Sequence, residues 1–223
     1  MGFSDTKNFI IDFDSTFTQV EALDELCEIS LRDNPEKDNV LAQIKAITDK
    51  GMVGELSLRQ SLEERLLLLN ANKSHIPQLI EALKKKVSKS FIRNKSFLNE
   101  HNDTIYIVSN GFKEFIVPVV EDYGIDPEHV LANNFIFDEN GDIIGFDKDN
   151  VLSENQGKAK KIEELKLQGE IIVIGDGFTD YEIKLYGQAH KFIAFIENVE
   201  RPQVVAKADY VAKSLDEILQ IVK

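Results

Sequence analysis

A doubly wound α/β core with a mostly parallel sheet is predicted by three features of this sequence. Short apolar runs stop abruptly at polar residues, helix-period segments alternate with those runs, and the chemically suggestive clusters fall where the runs stop. A helical insert after the first run and a late β-hairpin complete the expected architecture.

The first run, residues 8–13 (NFIIDF), reads as a buried parallel strand broken by Asp12. Residues 105–108 (IYIV), 170–174 (EIIVI) and 192–195 (FIAF) have the same character. Helical periodicity covers roughly 113–123, 156–168, 180–187 and 214–222. Strands alternating with helices imply βαβ units and a Rossmann-like core, whose ligands bind beyond the carboxyl ends of the strands.

Residues 20 to about 90 interrupt the alternation. Four helix-like stretches (21–31, 39–50, 58–69 and 77–87) are separated by Asp33-Asn34-Pro35, by Gly51 and Gly54, and by residues 70–74. The expected division is a catalytic core of 1–18 and 91–223 with a small helical cap of 19–90. Within 133–147 (NNFIFDENGDIIGFD), Asn140-Gly141 between alternating strands marks a hairpin.

Composition narrows the function. With 43% hydrophobic and 29% charged residues, the 223-residue chain has enough apolar mass for a real core. Its formal net charge of −13 argues against nucleic acid and anionic membrane, which need a positive footprint. It leaves metal-assisted phosphate chemistry open, because a divalent cation supplies its own charge. Cys27 is the single cysteine, so no internal disulfide forms and a cytoplasmic location is expected. The polar residues 1–7 carry no apolar signal core, and no apolar run approaches the roughly 20 residues of a membrane span.

Four clusters carry the chemistry. Asp12-Phe13-Asp14-Ser15-Thr16 ends the first strand, and carboxylates crowded there repel one another unless a cation sits between them. On its own, this cluster also reads as a capped turn. Ser109-Asn110-Gly111 follows the second run, where a hydroxyl and backbone N–H groups at a helix start can face an anion. Lys158 opens a helix after Asn155-Gln156-Gly157, and Gly175-Asp176-Gly177-Phe178-Thr179-Asp180 follows EIIVI. The common placement of all four makes coincidence a poor explanation.

DFDST, SNG, Lys158 and GDGFTD, in that order, resemble the haloacid dehalogenase superfamily of aspartate-nucleophile phosphatases. Ser15 after the second aspartate, with a helical insert directly following, resembles the superfamily's phosphoserine phosphatase branch. The likeness spans nearly the whole chain and extends into the cap, through Glu21 with Asp24-Glu25, 51–54 (GMVG) and 60–65 (QSLEER). It implies that Asp12 is the nucleophile and a Mg2+ ligand. Asp14 would be the general acid and base, its main-chain carbonyl also on the metal. Asp176 would be the third protein ligand, with Asp180 holding metal-bound water. Ser109, Asn110 and Lys158 would bind the phosphate. Glu21 would meet a substrate ammonium, Arg65 its carboxylate, and Met52 and Leu58 would form an apolar lid.

The residue types suit that chemistry. A carboxylate nucleophile divides a slow hydrolysis into two steps through an aspartyl-phosphate. Charge spreads over the phosphoryl oxygens, so a cation, a lysine and backbone N–H groups are the main stabilisers. All-oxygen ligands favour Mg2+ over zinc. Four positions depart from the family pattern: Asn110 stands where glycine is usual, Phe178-Thr179 where small residues and asparagine are frequent, and Leu58 where phenylalanine is frequent. The resemblance therefore implies Mg2+-dependent hydrolysis of O-phospho-L-serine. The alternative is a phosphatase or phosphotransferase for another small ester, such as phosphoethanolamine or phosphohomoserine.

Overall fold

The computed structural model describes residues 6–52 and 55–223. Eight strands are present among the described residues: β1 (Lys7–Ile11), β2 (Ile105–Phe112), β3 (Val130–Asn133), β4 (Phe135–Phe137), β5 (Ile143–Phe146), β6 (Glu170–Gly175), β7 (Lys191–Phe195) and β8 (Tyr210–Ala212). Six of them form one parallel sheet in the order β3-β2-β1-β6-β7-β8. The order runs outward in opposite directions on the two sides of β1. The carboxyl end of β1 is thus the topological switch point, where α/β sheets open a crevice for ligands.

Alternation along each strand builds a core on both faces of the sheet. Phe9 and Ile11 of β1 face one apolar layer with Ile107, Ile172, Ile174 and Ile193, whereas Ile10 joins Val108, Val173 and Phe192 on the other. The chain's helices are α1 (Ala22–Ser30), α2 (Lys37–Met52), α3 (Leu58–Leu69), α4 (Ile76–Lys84), α5 (Lys89–Arg93), α6 (Lys95–Glu100), α7 (Lys113–Val120), α8 (Gly157–Leu165), α9 (Phe178–Leu185), α10 (Pro202–Val205) and α11 (Leu215–Ile221). Phe115, Ile116, Val119 and Val120 of α7 cover the first layer, and Ile162 of α8 and Ile183 of α9 cover the second.

The strands differ from the sequence reading in two details, and the short helices α5, α6 and α10 were not among the helical stretches read there. β3 and β8 were not anticipated, being only four and three residues long. β2 runs on to Phe112, with a register shift between Val108 and Phe112, so Ser109-Asn110-Gly111 is an irregular strand end rather than a turn after the strand.

Helices α1–α4 lie between β1 and β2. Ser57 and Gln60 form a reciprocal capping box at the start of α3, and Asn70 ends it in the left-handed region at φ 43°. Leu62, Leu66 and Leu69 are buried with Leu23, Leu26, Leu79 and Leu83, giving the helices a continuous apolar core. The chain enters and leaves this unit side by side: Thr18 and Val87 form an antiparallel bridge, and the Gln19 N–H donates to the Lys86 carbonyl at 2.7 Å. The hairpin β4–β5 turns at Gly141 (φ 85°) and docks onto the same unit, its Ile143 N–H donating to the Ala71 carbonyl at 2.9 Å. Among the described residues, no helix is long and apolar enough to cross a membrane.

Candidate active site

Asp12 leaves β1 with its N–H still donating to the Ile174 carbonyl at 3.0 Å. The next residues, Phe13–Phe17, make a single wide turn, kinked by Ser15 at φ 56°. That left-handed conformation is uncommon for a residue with a Cβ. Its effect is local: the Ser15 hydroxyl reaches forward and donates to Glu21 Oε1 at 2.7 Å. Asp14 accepts from the N–H of Ala22, the residue after Glu21, at 2.7 Å at the start of α1.

β6 delivers Asp176. One of its oxygens accepts from the Thr16 hydroxyl at 3.0 Å and the other from Arg201 Nε at 2.9 Å. Asp180, in the first turn of α9, accepts from the Gly177 N–H at 3.0 Å. Gly175 is required for this packing, since a Cβ there would lie 2.3 Å from the Asp180 carboxylate. Lys158, from the first turn of α8, places its Nζ 2.7 Å from Asp12 Oδ1 and 2.7 Å from Asp180 Oδ1.

Asp12, Asp14, Lys158 and Asp176 share a cavity of about 700 Å³, lined also by Glu21, Leu58, Ser61, Arg65, Ser109, Asn110 and Phe178. Ser109 is buried, and its Oγ accepts from the Gly111 N–H at 2.9 Å. A Cβ at Gly111 would lie 3.1 Å from that Oγ and 3.2 Å from Asp14 Oδ2, so glycine keeps the serine and the carboxylate close together. The side-chain amide of Asn110 points elsewhere, donating to the Leu152 carbonyl at 2.8 Å. Arg65 enters from α3, its Nε donating to the Ser61 carbonyl at 3.2 Å. The side chain of Met52, at the end of α2, lies outside the described residues.

The electrostatics are those of crowded acids. Burial raises Asp14 well above the usual carboxylate range, and Glu21 and Asp12 reinforce it. Burial and Asp12 also push Asp176 up to about 7, and burial and Asp12 raise Asp180. Burial works against the Lys158 charge, but Asp12 and Asp180 outweigh it and hold the ammonium above the ordinary lysine value. Asp12, Asp176 and Asp180 each offer an oxygen, and these oxygens all lie within 4.8 Å of one another. An all-oxygen group with excess negative charge fits a hard divalent cation.

Residues 9–183 match the family model described as haloacid dehalogenase-like hydrolase. The chain belongs to this family. Among haloacid dehalogenase-like hydrolases it is similar to the phosphoserine phosphatase of Homo sapiens, at 31% identity over 93% of this chain and 89% of that one. A phosphoserine phosphohydrolase-like protein from Francisella tularensis has a similar structure, with a TM-score of 0.86 and 31% identity, covering 98% of this chain and all of that one. So does a phosphoserine phosphatase solved as a phospho-aspartyl intermediate analogue, with a TM-score of 0.78, 26% identity and 99% of this chain covered.

This hydrolase site also contains residues that sequence reasoning missed. Arg201 bonds Asp176 and lies 3.8 Å from Glu21 Oε1. Asn198 directs its amide at the carbonyls of Ser15, Thr16 and Thr18 and at Ser88 Oγ, the last at 2.7 Å. Both sit in the segment after β7, where the strand-end rule that located the other clusters would also have pointed. Phe178 stands at the cavity mouth with the Lys207 ammonium 5.9 Å from its ring centre.

Proposed function

We propose that this chain is a Mg2+-dependent phosphoserine phosphatase that hydrolyses O-phospho-L-serine through an aspartyl-phosphate. The observation that carries the reading is that Glu21 and Arg65 open onto the same cavity as Asp12, Asp14 and Lys158. An acid and a base suit the ammonium and carboxylate of an amino acid, while Lys158 and Ser109 suit its phosphate. The small-molecule ester enters between cap and core, with the core taken as 1–18 and 91–223 and the cap as 19–90. The bridge between Thr18 and Val87 supports that division.

In this reading the Asp12 carboxylate attacks phosphorus, and the P–O bond to the serine oxygen breaks. Asp14, kept protonated by burial, donates its proton to the departing oxygen. Lys158 and Ser109 hold the transferring phosphoryl oxygens. Asp14, now a carboxylate, takes a proton from the water that attacks the aspartyl-phosphate. Phosphate leaves and Asp12 is restored. Asp12, the main-chain carbonyl of Asp14 and Asp176 would hold Mg2+, and Asp180 would fix water on it. Bound there, the cation neutralises charge on the phosphoryl group and on the crowded carboxylates. Asn110 contributes through its backbone, since its amide is engaged by Leu152. Leu58 lines the cavity as an apolar wall. A cytoplasmic setting suits Cys27, whose thiol is pushed up to about 11 by burial, with Asp24 adding to it, and so stays inert.

The experiment is a panel of small phosphate esters assayed with Mg2+ and with chelator, measuring released phosphate. O-Phospho-L-serine is expected to be the best substrate and chelation to stop turnover. A preference for phosphoethanolamine or phosphohomoserine would reassign the substrate.

A further inference from the structure

The amino end of α3 is tied to the core by contacts that use no side chain assigned to substrate. Arg59 Nη2 donates to the Lys148 carbonyl at 2.8 Å and to Ser153 Oγ at 3.1 Å, and lies 3.3 Å from Glu154 Oε1. One residue earlier, the Leu58 N–H donates to Asn155 Oδ1 at 3.0 Å. One turn later, Glu63 pairs with Lys148 Nζ at 2.5 Å.

The core side of these contacts is braced. Asn150 Nδ2 donates to the Ala132 carbonyl at 2.9 Å, and the Leu152 carbonyl accepts from Asn110 Nδ2 at 2.8 Å. Gly157, immediately before Lys158, packs so tightly on this segment that a Cβ would lie 2.1 Å from the Val151 carbonyl. Segment 148–156 therefore touches the cap on one side and the phosphate-binding residues on the other.

We propose that Arg59 is a positioning residue, the centre of a latch that holds the cap on the core whether or not substrate is bound; its kinetic consequence rests on the phosphatase reading above. The latch keeps Leu58, Ser61 and Arg65 facing Asp12. Apparent affinity falls by the fraction of molecules in the binding-competent arrangement, so a latch that raises this fraction lowers KM and leaves kcat alone. The Arg59 and Glu154 side chains are 35% and 43% exposed, so salt weakens the latch.

The test compares the parent with Arg59→Ala, Arg59→Lys, Glu154→Gln and the double variant Arg59→Ala/Glu154→Gln. Amide hydrogen exchange of 57–65 and 148–156 is measured without substrate, and kcat and KM are measured on phosphoserine. Arg59→Ala is expected to speed exchange in both segments and to raise KM about three- to tenfold at near-parental kcat, the range of one partly exposed charged hydrogen bond. Arg59→Lys recovers part, and the double variant is no worse than Arg59→Ala. Unchanged exchange and KM in Arg59→Ala would overturn the latch. So would a fall in kcat at constant KM, which would make Arg59 a support for the Lys158 helix. Faster exchange in Arg59→Ala beside a parent inactive on phosphoserine upholds the latch and sinks the substrate reading.

Discussion

The Lys158 ammonium stands between two carboxylates, 2.7 Å from Asp12 and 2.7 Å from Asp180, with only 2% of its side chain exposed. It therefore has a structural duty beside the phosphate-binding one proposed for it. Removing one member of a buried charge cluster leaves uncompensated charge, at a cost of about 3–5 kcal/mol. Lys158→Met is expected to lower both activity and melting temperature. Adding Asp180→Asn is expected to restore much of the melting temperature without restoring turnover. Thermal melts and phosphate release on both variants check this. A single variant as stable as the parent would show that Lys158 serves the substrate alone.

Asp14 is predicted to matter in proportion to how much the leaving group needs a proton. Proton transfer of this kind is worth about a hundred- to ten-thousand-fold. Asp14→Asn should lose that range on phosphoserine and less on an aryl phosphate, whose leaving group departs unaided. Rates on both esters decide it, and equal losses would confine Asp14 to the metal or to the water-attack step.

Arg65 is predicted to set the choice of substrate. A guanidinium grips a carboxylate with two parallel hydrogen bonds that a lysine does not reproduce. Leaving one charge of a desolvated pair unmatched costs about 2–5 kcal/mol, or roughly thirty- to several-thousand-fold in kcat/KM. Arg65→Ala should lose a factor in that range on phosphoserine and little on phosphoethanolamine, which has no carboxylate. Arg65→Lys should recover part. Equal losses on the two esters would make Arg65 a cap-packing residue.

Asp176 is predicted to link cation binding to pH. Burial and Asp12 push its pKa up to about 7, so below that pH a proton occupies the site and must leave before a cation binds. Mg2+ affinity of the chelator-stripped protein is expected to fall by up to about tenfold per pH unit below 7 and to level off above it. Calorimetric titrations at pH 6 and pH 8, in buffers of different ionisation enthalpy, should register proton release at the lower pH and far less at the higher. Affinity flat from pH 5.5 to 8 would contradict this.

The parallel core was legible because buried strands are near-continuous apolar runs and the site clusters follow them directly. Asp12, Asp14, Asp176 and Asp180 came from two short segments, where a strand end fixes what lies opposite. The segment holding Asn198 and Arg201 was legible as the end of the run 192–195, but what those two side chains meet was not. Asn198 meets the Ser15 carbonyl across 183 positions of chain, and the pairing of β1 with β6 and of β6 with β7 is what brings the two together. β8 escaped notice because a three-residue edge strand carries too little alternation to register. The side-chain direction of Asn110 was also beyond the sequence, since its acceptor, the Leu152 carbonyl, is set by the fold of another loop.

The bridge between Thr18 and Val87 has a consequence for how this protein is assembled. Because the chain leaves the core and rejoins it at neighbouring points, everything between is an excursion from one place, tied to the rest by α4 packing on α7. Splicing 18 to 87 through a short turn should yield a miniature version that still forms the six-stranded sheet, with Asp12, Asp176 and Lys158 open to solvent. Such a capless protein would be a blank chassis. Different helical inserts grafted at the same two points would then give it new tastes in substrate while the phosphoryl-transfer end stayed the same.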